Sequence, residues 1–321
     1  MNPLNMALDA GARAYVQAAE SLGFSAARSV ATHRRSFADL RRWAMPAPPI
    51  SERWVSVAFP GTEAVRVRVV EAPQPAHPAP VVLYLHGGGW VNGDALSHDG
   101  VVRELALRTR AAVVFPEYSR SPEARYPVAL EQSYATAAWV VEHGAELGLD
   151  PTRMAVVGDS EGANLAMALT LTTLHRNLFH FRHLIAFTPV TAADFATDSY
   201  SAFACGYGLR REQMQWYWDQ YAPDRRDRER ATVCPLLADD ADLAQFPPSL
   251  IITAEADVVR DEGEAFAARL RSAGAVSTAV RYEGMIHDFV VVPSLAQSSA
   301  VKSALAQASS ALVSTLAGPV G

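Results

Sequence analysis

The segment MAVVGDSEGANLAMAL, residues 154–169, places a serine in a turn between an apolar strand and a helix. Its centre has the pattern Gly-x-Ser-x-Gly, with Gly158 and Gly162 on either side of Ser160. Glycines at these positions allow a tight, strained turn, because no Cβ atom obstructs the neighbouring backbone. The turn raises the serine hydroxyl into a cleft at the positive end of the following helix. The segment therefore predicts a nucleophilic serine.

On both sides of this turn along the sequence, short apolar runs alternate with segments that are long enough to form helices. Runs that are apolar at every position are typical of parallel strands covered on both faces by helices. Two alternating runs, at 54–59 and 64–70, are joined by Pro60-Gly61, which predicts an antiparallel hairpin at the sheet edge. The other runs are VVLYL (81–85), AAVVF (111–115), MAVVG (154–158), HLIAF (183–187), SLIIT (249–253) and STAVRY (277–282). The predicted fold class is α/β, with an eight-stranded, mostly parallel sheet and helices on both faces.

Two further segments predict a cap over the strand ends. Residues 1–50 are predicted to form a helical arm, because apolar residues recur every three to four positions until the Pro-rich stretch at 45–50. Residues 51–321 form the main domain, interrupted at about 190–245 by a long excursion rich in aromatic residues. We expect the arm and the excursion together to form the cap.

A serine nucleophile needs a base within hydrogen-bond reach and a carboxylate that orients the base. His287 follows the last apolar run, and Asp257 follows the run before it. Both are therefore expected at the carboxyl ends of strands, on the same edge of the sheet as Ser160. We predict a catalytic triad of Ser160, Asp257 and His287.

Other acidic residues and histidines compete for these two roles. Three of the acidic residues open a predicted helix, where acidic side chains are common for any function, and a fourth would need a shifted loop. The acidic alternatives are Asp261, Glu262, Glu264 and Glu255, and the alternative bases are His86, His98, His175, His180 and His183. A zinc site built from the last three histidines is disfavoured, since they lack a compact spacing and a carboxylate partner.

A cluster of glycines directly follows the run at 81–85 and reads His86-Gly87-Gly88-Gly89-Trp90. Acyl transfer passes through a tetrahedral intermediate, and backbone N–H groups held about 3 Å from its oxygen stabilise the negative charge. Glycines let the backbone approach that oxygen. We predict that the N–H groups of Gly88, Gly89 and Glu161 form an oxyanion hole.

Composition excludes several other classes of function. The 321 residues carry a formal net charge of −6 and are 50% hydrophobic, which gives no electrostatic reason to bind nucleic acid or an anionic membrane. Lys302, the lone lysine, follows no glycine-rich loop, which disfavours Schiff-base and P-loop chemistry.

Two cysteines, Cys205 and Cys234, are too few for a disulfide scaffold and favour the cytoplasm. No signal peptide or membrane-spanning run is expected.

These motifs resemble those of the hormone-sensitive-lipase-like branch of α/β hydrolases, which includes bacterial carboxylesterases and acetyl hydrolases. The resemblance covers about 81–290 and is carried by HGGGW (86–90), EYSRSPEARYP (117–127), GDSEG (158–162), DVVRDEG (257–263) and IHDF (286–289). It implies the triad and oxyanion hole given above, a cap that includes the N-terminal arm, no cofactor or metal, and a small-molecule ester, usually with a short acyl chain, as substrate.

The function expected is that of a serine carboxylester hydrolase acting through an acyl-enzyme intermediate. Two alternatives stay open at this point. The same triad could serve a dedicated biosynthetic deacetylase, lactonase, amidase, acyl transferase or cyclase, because substrate choice depends on the geometry of the cap. The chain could also be a ligand-binding protein that keeps the fold without the chemistry.

Several side chains are candidates for finer roles. The proposed substrate-pocket residues are Trp90, Phe203, Tyr207 and Trp216. Glu161 stands where the resemblance implies a small or apolar residue. Its carboxylate either stabilises the helix N-terminus by about 0.3–1 kcal/mol while facing solvent or an arginine, or lines the site and selects a cationic or hydroxyl-bearing substrate. Arginines at 28, 34, 35, 41 and 42 predict a solvated helix face. The segment 294–318 predicts a helix available to a partner, which leaves a homodimer open.

Overall fold

One eight-stranded sheet organises the part of the chain that the computed structural model describes, residues 6–41, 50–58 and 64–317. The strands are β1 (Ser51–Val57), β2 (Val65–Glu71), β3 (Ala79–Leu85), β4 (Ala112–Glu117), β5 (Leu149–Asp159), β6 (Leu184–Phe187), β7 (Ser249–Ala256) and β8 (Ser277–Ile286). Their order across the sheet is β1-β2-β4-β3-β5-β6-β7-β8. The predicted α/β fold class is confirmed.

The pairing of the strands follows the sequence pattern closely. β1 and β2 are antiparallel, β2 is also antiparallel to β4, and the remaining neighbours are parallel. Every residue of β3 is buried, as expected for a central strand covered on both faces. The hairpin turn predicted at Pro60-Gly61 lies outside the described residues.

Helices flank the sheet in two groups. The helices are α1 (Ala10–Leu22), α2 (Val30–Arg41), α3 (Asp99–Thr109), α4 (Val128–His143), α5 (Glu161–Arg176), α6 (Asp198–Ala202), α7 (Arg211–Tyr221), α8 (Asp240–Leu243), α9 (Arg260–Ser272) and α10 (Ser299–Leu316). α3 packs against α10, while α4 packs against α5, and α5 and α9 contact the strands that precede them.

The described part of the N-terminal arm contains the helices α1 and α2, and the excursion between β6 and β7 contributes α6, α7 and α8. The helix predicted near the C-terminus is present as α10. Its apolar face is buried and contacts α3, β5 and β7 of the same chain. The expectation that this face is available to a partner was therefore wrong, and the helix gives no support to a homodimer.

Candidate active site

The turn between β5 and α5 holds Ser160 in a strained conformation, with φ 53° and ψ −120°. Its two glycines pack against each other and against the end of β3. A Cβ atom on Gly158 would lie 2.4 Å from the backbone of Gly162, and one on Gly162 would lie 2.1 Å from the carbonyl oxygen of Leu85. Only glycine fits at either position, which explains the spacing of the motif.

Ser160, His287 and Asp257 form a continuous chain of hydrogen bonds. Ser160 Oγ lies 2.6 Å from His287 Nε2, and His287 Nδ1 lies 2.8 Å from Asp257 Oδ2. Asp257 follows β7 directly and also accepts a hydrogen bond from the backbone N–H of Val259 at 3.1 Å. His287 follows β8 directly. The structure thus brings together the three residues that the sequence places at the carboxyl ends of β5, β7 and β8.

Carboxylates surround the imidazole of His287. Burial lowers the pKa of His287, but Asp257, Asp288 and Glu161 together outweigh burial and raise this pKa to about 10. Asp288 Oδ1 lies 3.4 Å from His287 Nε2. The free site therefore favours an imidazolium at neutral pH, and His287 must lose this proton before it can act as a base.

The backbone N–H groups of Gly88 and Gly89 converge on one point beside Ser160. That point is occupied by a carboxylate oxygen of Glu161, which accepts hydrogen bonds from Gly89 at 2.7 Å and Gly88 at 3.1 Å. Burial raises the pKa of Glu161, whose own backbone N–H also bonds its carboxylate. The side chain is buried, so the expectation that it faces solvent or an arginine was wrong.

A substitution at Gly89 tests whether these backbone N–H groups contribute to ester hydrolysis. A Cβ atom at Gly89 would lie 2.2 Å from the ring of Tyr217, and its φ is +69°. The substitution Gly89→Ala is expected to move the loop and to lower kcat/KM for an ester by about 10²- to 10³-fold, because an oxyanion donor is displaced. The measurement is steady-state kinetics on a p-nitrophenyl ester.

Gly274→Ala is the matched control for Gly89→Ala. Gly274 also has a positive φ, +97°, but no atom lies within 4 Å of the position that a Cβ would take. This variant should share the backbone strain and keep its activity. Full activity in Gly89→Ala would show that these N–H groups are not needed.

Asp159, next to the serine, ties the glycine loop to the turn. Its carboxylate accepts hydrogen bonds from the Tyr84 hydroxyl at 2.7 Å and the Gly87 N–H at 3.1 Å, and His98 Nε2 lies 3.2 Å away. Asp159 is fully buried. Sequence reasoning missed this buried network. A signal was present, because Asp159 directly follows the apolar run that ends at Gly158, and an acidic residue at the end of a buried strand is unusual.

Two of the alternative bases, His86 and His175, are bonded to groups other than Ser160. His86 bonds the Gly87 carbonyl at 2.9 Å and stacks on Tyr118 with 4.2 Å between ring centroids, and burial lowers its pKa to about 3. His175 bonds Asp242 at 2.8 Å. His86 thus braces the glycine loop.

A small cavity of about 110 Å³ opens in front of Ser160. Its walls come from the glycine loop, from α1 and α2 of the N-terminal arm, and from α7 of the excursion. The aromatic residues that line it are Tyr15, Phe24, Phe37 and Tyr217. Tyr217 is fixed through its hydroxyl, which accepts a hydrogen bond from Asn92 at 3.0 Å and one from Gln213 at 2.9 Å.

Trp90 does not line this cavity. It has a positive φ of 55° and stacks flat on Tyr221, with 4.1 Å between ring centroids and 3° between ring planes. It also contacts Trp218 at a centroid distance of 4.7 Å. The side chain packs against α7 and lies outside the described lining of the cavity, so a role for Trp90 in substrate binding stays a prediction that this geometry does not support.

The three other predicted pocket residues also pack elsewhere. Phe203 and Tyr207 meet edge to face at 5.1 Å, and both are buried outside the walls of the cavity. Trp216 packs behind the cavity wall on Phe24, at 6.0 Å, and on His33, at 4.5 Å. Its neighbour on α7, Tyr217, points into the cavity instead, because successive residues of a helix face different directions.

The arginines of the N-terminal arm do not form a single solvated face. Arg41 is only 3% exposed and bonds Asp288 at 2.7 Å. Arg34 donates to the Val91 carbonyl at 2.8 Å. The position at 42 lies outside the described residues. The prediction was therefore wrong for Arg41, which connects α2 to the residue next to His287.

Comparisons with known proteins show the family to which the chain belongs. The sequence model of a family described as alpha/beta hydrolase fold matches residues 82–291. Carboxylesterase NlhH of Mycobacterium tuberculosis is 34% identical over 79% of this chain and 81% of its own. A relative from Acanthamoeba polyphaga mimivirus is 35% identical over 70% of this chain, and the match spans 64% of that relative's length.

A solved structure is also closely similar. The crystal structure of a thermostable esterase from Pseudomonas putida superimposes with a TM-score of 0.93 at 36% identity, over 97% of this chain and 98% of that one. The chain belongs to the α/β hydrolase family. The predicted family and fold are confirmed, and the predicted class of enzyme, an ester hydrolase, agrees with these relatives. Among the described residues, no helix has the length and apolar character that crossing a membrane requires.

Proposed function

We propose that this protein is a serine carboxylester hydrolase in which Ser160 is the nucleophile, His287 the general base and Asp257 the residue that orients the base. The observation that carries the proposal is the unbroken chain from Ser160 Oγ through both ring nitrogens of His287 to Asp257, with separations of 2.6 and 2.8 Å. Asp257 fixes the tautomer in which Nδ1 carries the hydrogen and Nε2 is free to accept one.

The reaction follows from these positions. Ser160 Oγ attacks the ester carbonyl carbon while His287 Nε2 accepts the hydroxyl proton, and the carbonyl oxygen becomes an oxyanion. The imidazolium then protonates the leaving alcohol, which departs and leaves an acyl-enzyme. Water, deprotonated by His287, attacks the acyl carbon and releases the acid and the free serine. The chemistry needs no metal or cofactor, because base and oxyanion donors supply each step.

The oxyanion is held, in this proposal, by the backbone N–H groups of Gly88, Gly89 and Glu161. Two of these N–H groups already converge on one oxygen atom at 2.7 and 3.1 Å, which is the distance that such donors keep from an oxyanion. In the free enzyme, the oxygen at that point belongs to Glu161 and takes the place that the substrate oxyanion would take.

The substrate we propose is a small ester with a short acyl chain. The cavity before Ser160 is small, about 110 Å³, and aromatic side chains contribute to its lining. We further propose that residues 1–50 and the excursion at about 190–245 form a cap, because α1, α2 and α7 line the cavity opposite the serine. We propose the cytoplasm as the site of action, since Cys205 and Cys234 are both unpaired.

Labelling with a fluorophosphonate tests the nucleophile, and a series of p-nitrophenyl esters of increasing chain length tests the substrate. We expect one label per chain, on the peptide that contains Ser160, and the highest kcat/KM for acetyl to butyryl esters. Absence of a label on Ser160 would favour a binding protein instead. A higher kcat/KM for matched amides or lactones than for esters would favour the biosynthetic alternatives.

The pH dependence of the reaction follows from the charges around His287. Its pKa is raised to about 10, so the imidazole is mostly protonated at pH 7 and cannot accept the Ser160 proton. We expect kcat/KM to rise with pH, about tenfold per unit, until the pH approaches this pKa. Measurement of kcat/KM between pH 6 and pH 10, with correction for spontaneous hydrolysis, checks this. A plateau that begins below pH 7 would contradict the prediction.

A further inference from the structure

The side chain of Glu161 occupies the position that the proposed reaction reserves for the substrate oxygen. One carboxylate oxygen accepts the N–H groups of both Gly88 and Gly89, and the residue is 1% exposed. A substrate carbonyl cannot use these donors while the carboxylate holds them. This inference rests on the proposed function, because it concerns the same N–H groups.

A displaced Glu161 carboxylate would lose its hydrogen bonds and would need another partner. The charge of each arginine in the described lining of the cavity is already balanced by a carboxylate, although Nε and Nη1 of Arg41 have no hydrogen-bond partner among the described residues. Arg41 bonds Asp288 at 2.7 Å, and Arg210 forms an ion pair with Glu20. Moving the carboxylate within this partly enclosed cavity therefore carries an uncompensated charge, which is costly away from water.

The two histidines of the cavity do not supply that partner during catalysis. Burial lowers the pKa of His33, so its imidazole is neutral at pH 7. His287 must itself be neutral in order to accept the proton of Ser160. None of these described groups therefore offers the displaced Glu161 a positive charge that is not already balanced, and a cationic substrate would supply one.

We propose that Glu161 is a specificity-determining residue: its carboxylate closes the oxyanion hole in the free enzyme, and esters with a cationic group open the hole by pairing with the displaced carboxylate. Uncharged esters must open it without that compensation. The enzyme should therefore prefer a quaternary ammonium ester over an uncharged ester of the same shape.

Two substitutions separate the charge of Glu161 from its occupancy of the hole. Glu161→Gln keeps a side-chain oxygen that can accept the N–H groups of Gly88 and Gly89, but it removes the charge. Glu161→Ala removes both and leaves the hole open. Glu212→Gln is the matched control, because Glu212 is an exposed carboxylate on α7 that pairs with Arg210 at the same cavity, 3.4 Å away.

The experiment compares kcat/KM for acetylcholine with kcat/KM for 3,3-dimethylbutyl acetate, in which a carbon atom replaces the quaternary nitrogen. For the unaltered enzyme and Glu212→Gln we expect acetylcholine to be preferred by about tenfold or more, as for a close charge pair. Glu161→Gln and Glu161→Ala should bring the ratio towards one. Glu161→Ala should also hydrolyse the uncharged ester faster than the unaltered enzyme does.

Two results would overturn the inference: an acetylcholine preference that is the same with and without the Glu161 charge, or a slower hydrolysis of the uncharged ester by a folded Glu161→Ala. If the alanine variant does not fold, the ratio in Glu161→Gln decides. Fluorophosphonate labelling of Ser160 in each variant keeps the two proposals apart. Labelling with an unchanged ratio removes only the role of Glu161, whereas absent labelling and absent hydrolysis in the unaltered enzyme remove the proposed function itself.

Discussion

Replacement of Ser160 by alanine should lower kcat for ester hydrolysis by about a millionfold, down to the contribution of binding and the oxyanion donors alone. In the proposed reaction the hydroxyl oxygen of Ser160 forms the acyl-enzyme, and His287 Nε2, 2.6 Å away, serves as the base. The measurement is single-turnover and steady-state hydrolysis of p-nitrophenyl acetate, with the fraction of folded protein determined by thermal unfolding.

The control for Ser160→Ala is Ser309→Ala, which removes a second buried hydroxyl. Ser309 lies on α10, and its hydroxyl has no hydrogen-bond partner among the described residues. This variant should retain full activity. The double variant Ser160→Ala/His287→Ala should be no slower than Ser160→Ala by itself, because the two residues act as a unit. A Ser160→Ala enzyme with more than a trace of its activity would refute the nucleophile.

The second large effect is expected for Asp257→Asn, which should lower kcat by about ten-thousandfold. An asparagine can turn its NH₂ group towards His287 Nδ1, and the imidazole then adopts the tautomer whose Nε2 carries the hydrogen and cannot accept a proton from Ser160. The substitution also removes a charge that raises the pKa of His287. The acid limb of the pH profile should therefore move to lower pH together with the fall in kcat.

Asp261→Asn provides the comparison for Asp257→Asn. Asp261 lies four residues further on, in the first turn of α9, and accepts the backbone N–H of Ser199 at 2.7 Å, which an asparagine oxygen can also accept. Its activity should stay close to that of the unaltered enzyme. If both substitutions lowered kcat equally, the effect would come from the loop and not from the orientation of His287.

The positions of the triad could be predicted from the sequence because they depend on topology and not on side-chain detail. Asp257 and His287 each come directly after an apolar run, and the carboxyl ends of parallel strands meet at one edge of a sheet. The order of the runs was therefore sufficient. The glycines on either side of Ser160 could also be explained from the sequence, since the tight turn leaves no room for a Cβ atom at Gly158 or Gly162.

Side-chain direction could not be predicted in the same way. Trp90 follows the glycine loop, yet it has a positive φ of 55° and packs against α7. Residue type alone does not specify a left-handed backbone at a tryptophan. Trp216 and Tyr217 are adjacent on α7, and only the packing of that helix decides which of them faces the cavity.

The sequence also did not predict the contacts of charged side chains whose partners lie far away along the chain. Glu161 was correctly placed at a helix N-terminus, but its partner Gly89 lies 72 residues away in the chain. Arg41 and Asp288 are 247 residues apart. A local pattern assigns both charged side chains to solvent by default, because most such side chains are exposed. Their burial depends on the closure of the cavity by the arm.

The bond between Arg41 and Asp288 joins the N-terminal arm to the residue beside the proposed base, His287. Arg41 ends α2, while Asp288 adjoins His287. If the arm lifted to admit a substrate, the carboxylate of Asp288 would lose its counterion beside the imidazole, and proton release from His287 would become harder. The pH at which His287 can accept a proton would therefore depend on where the N-terminal arm lies.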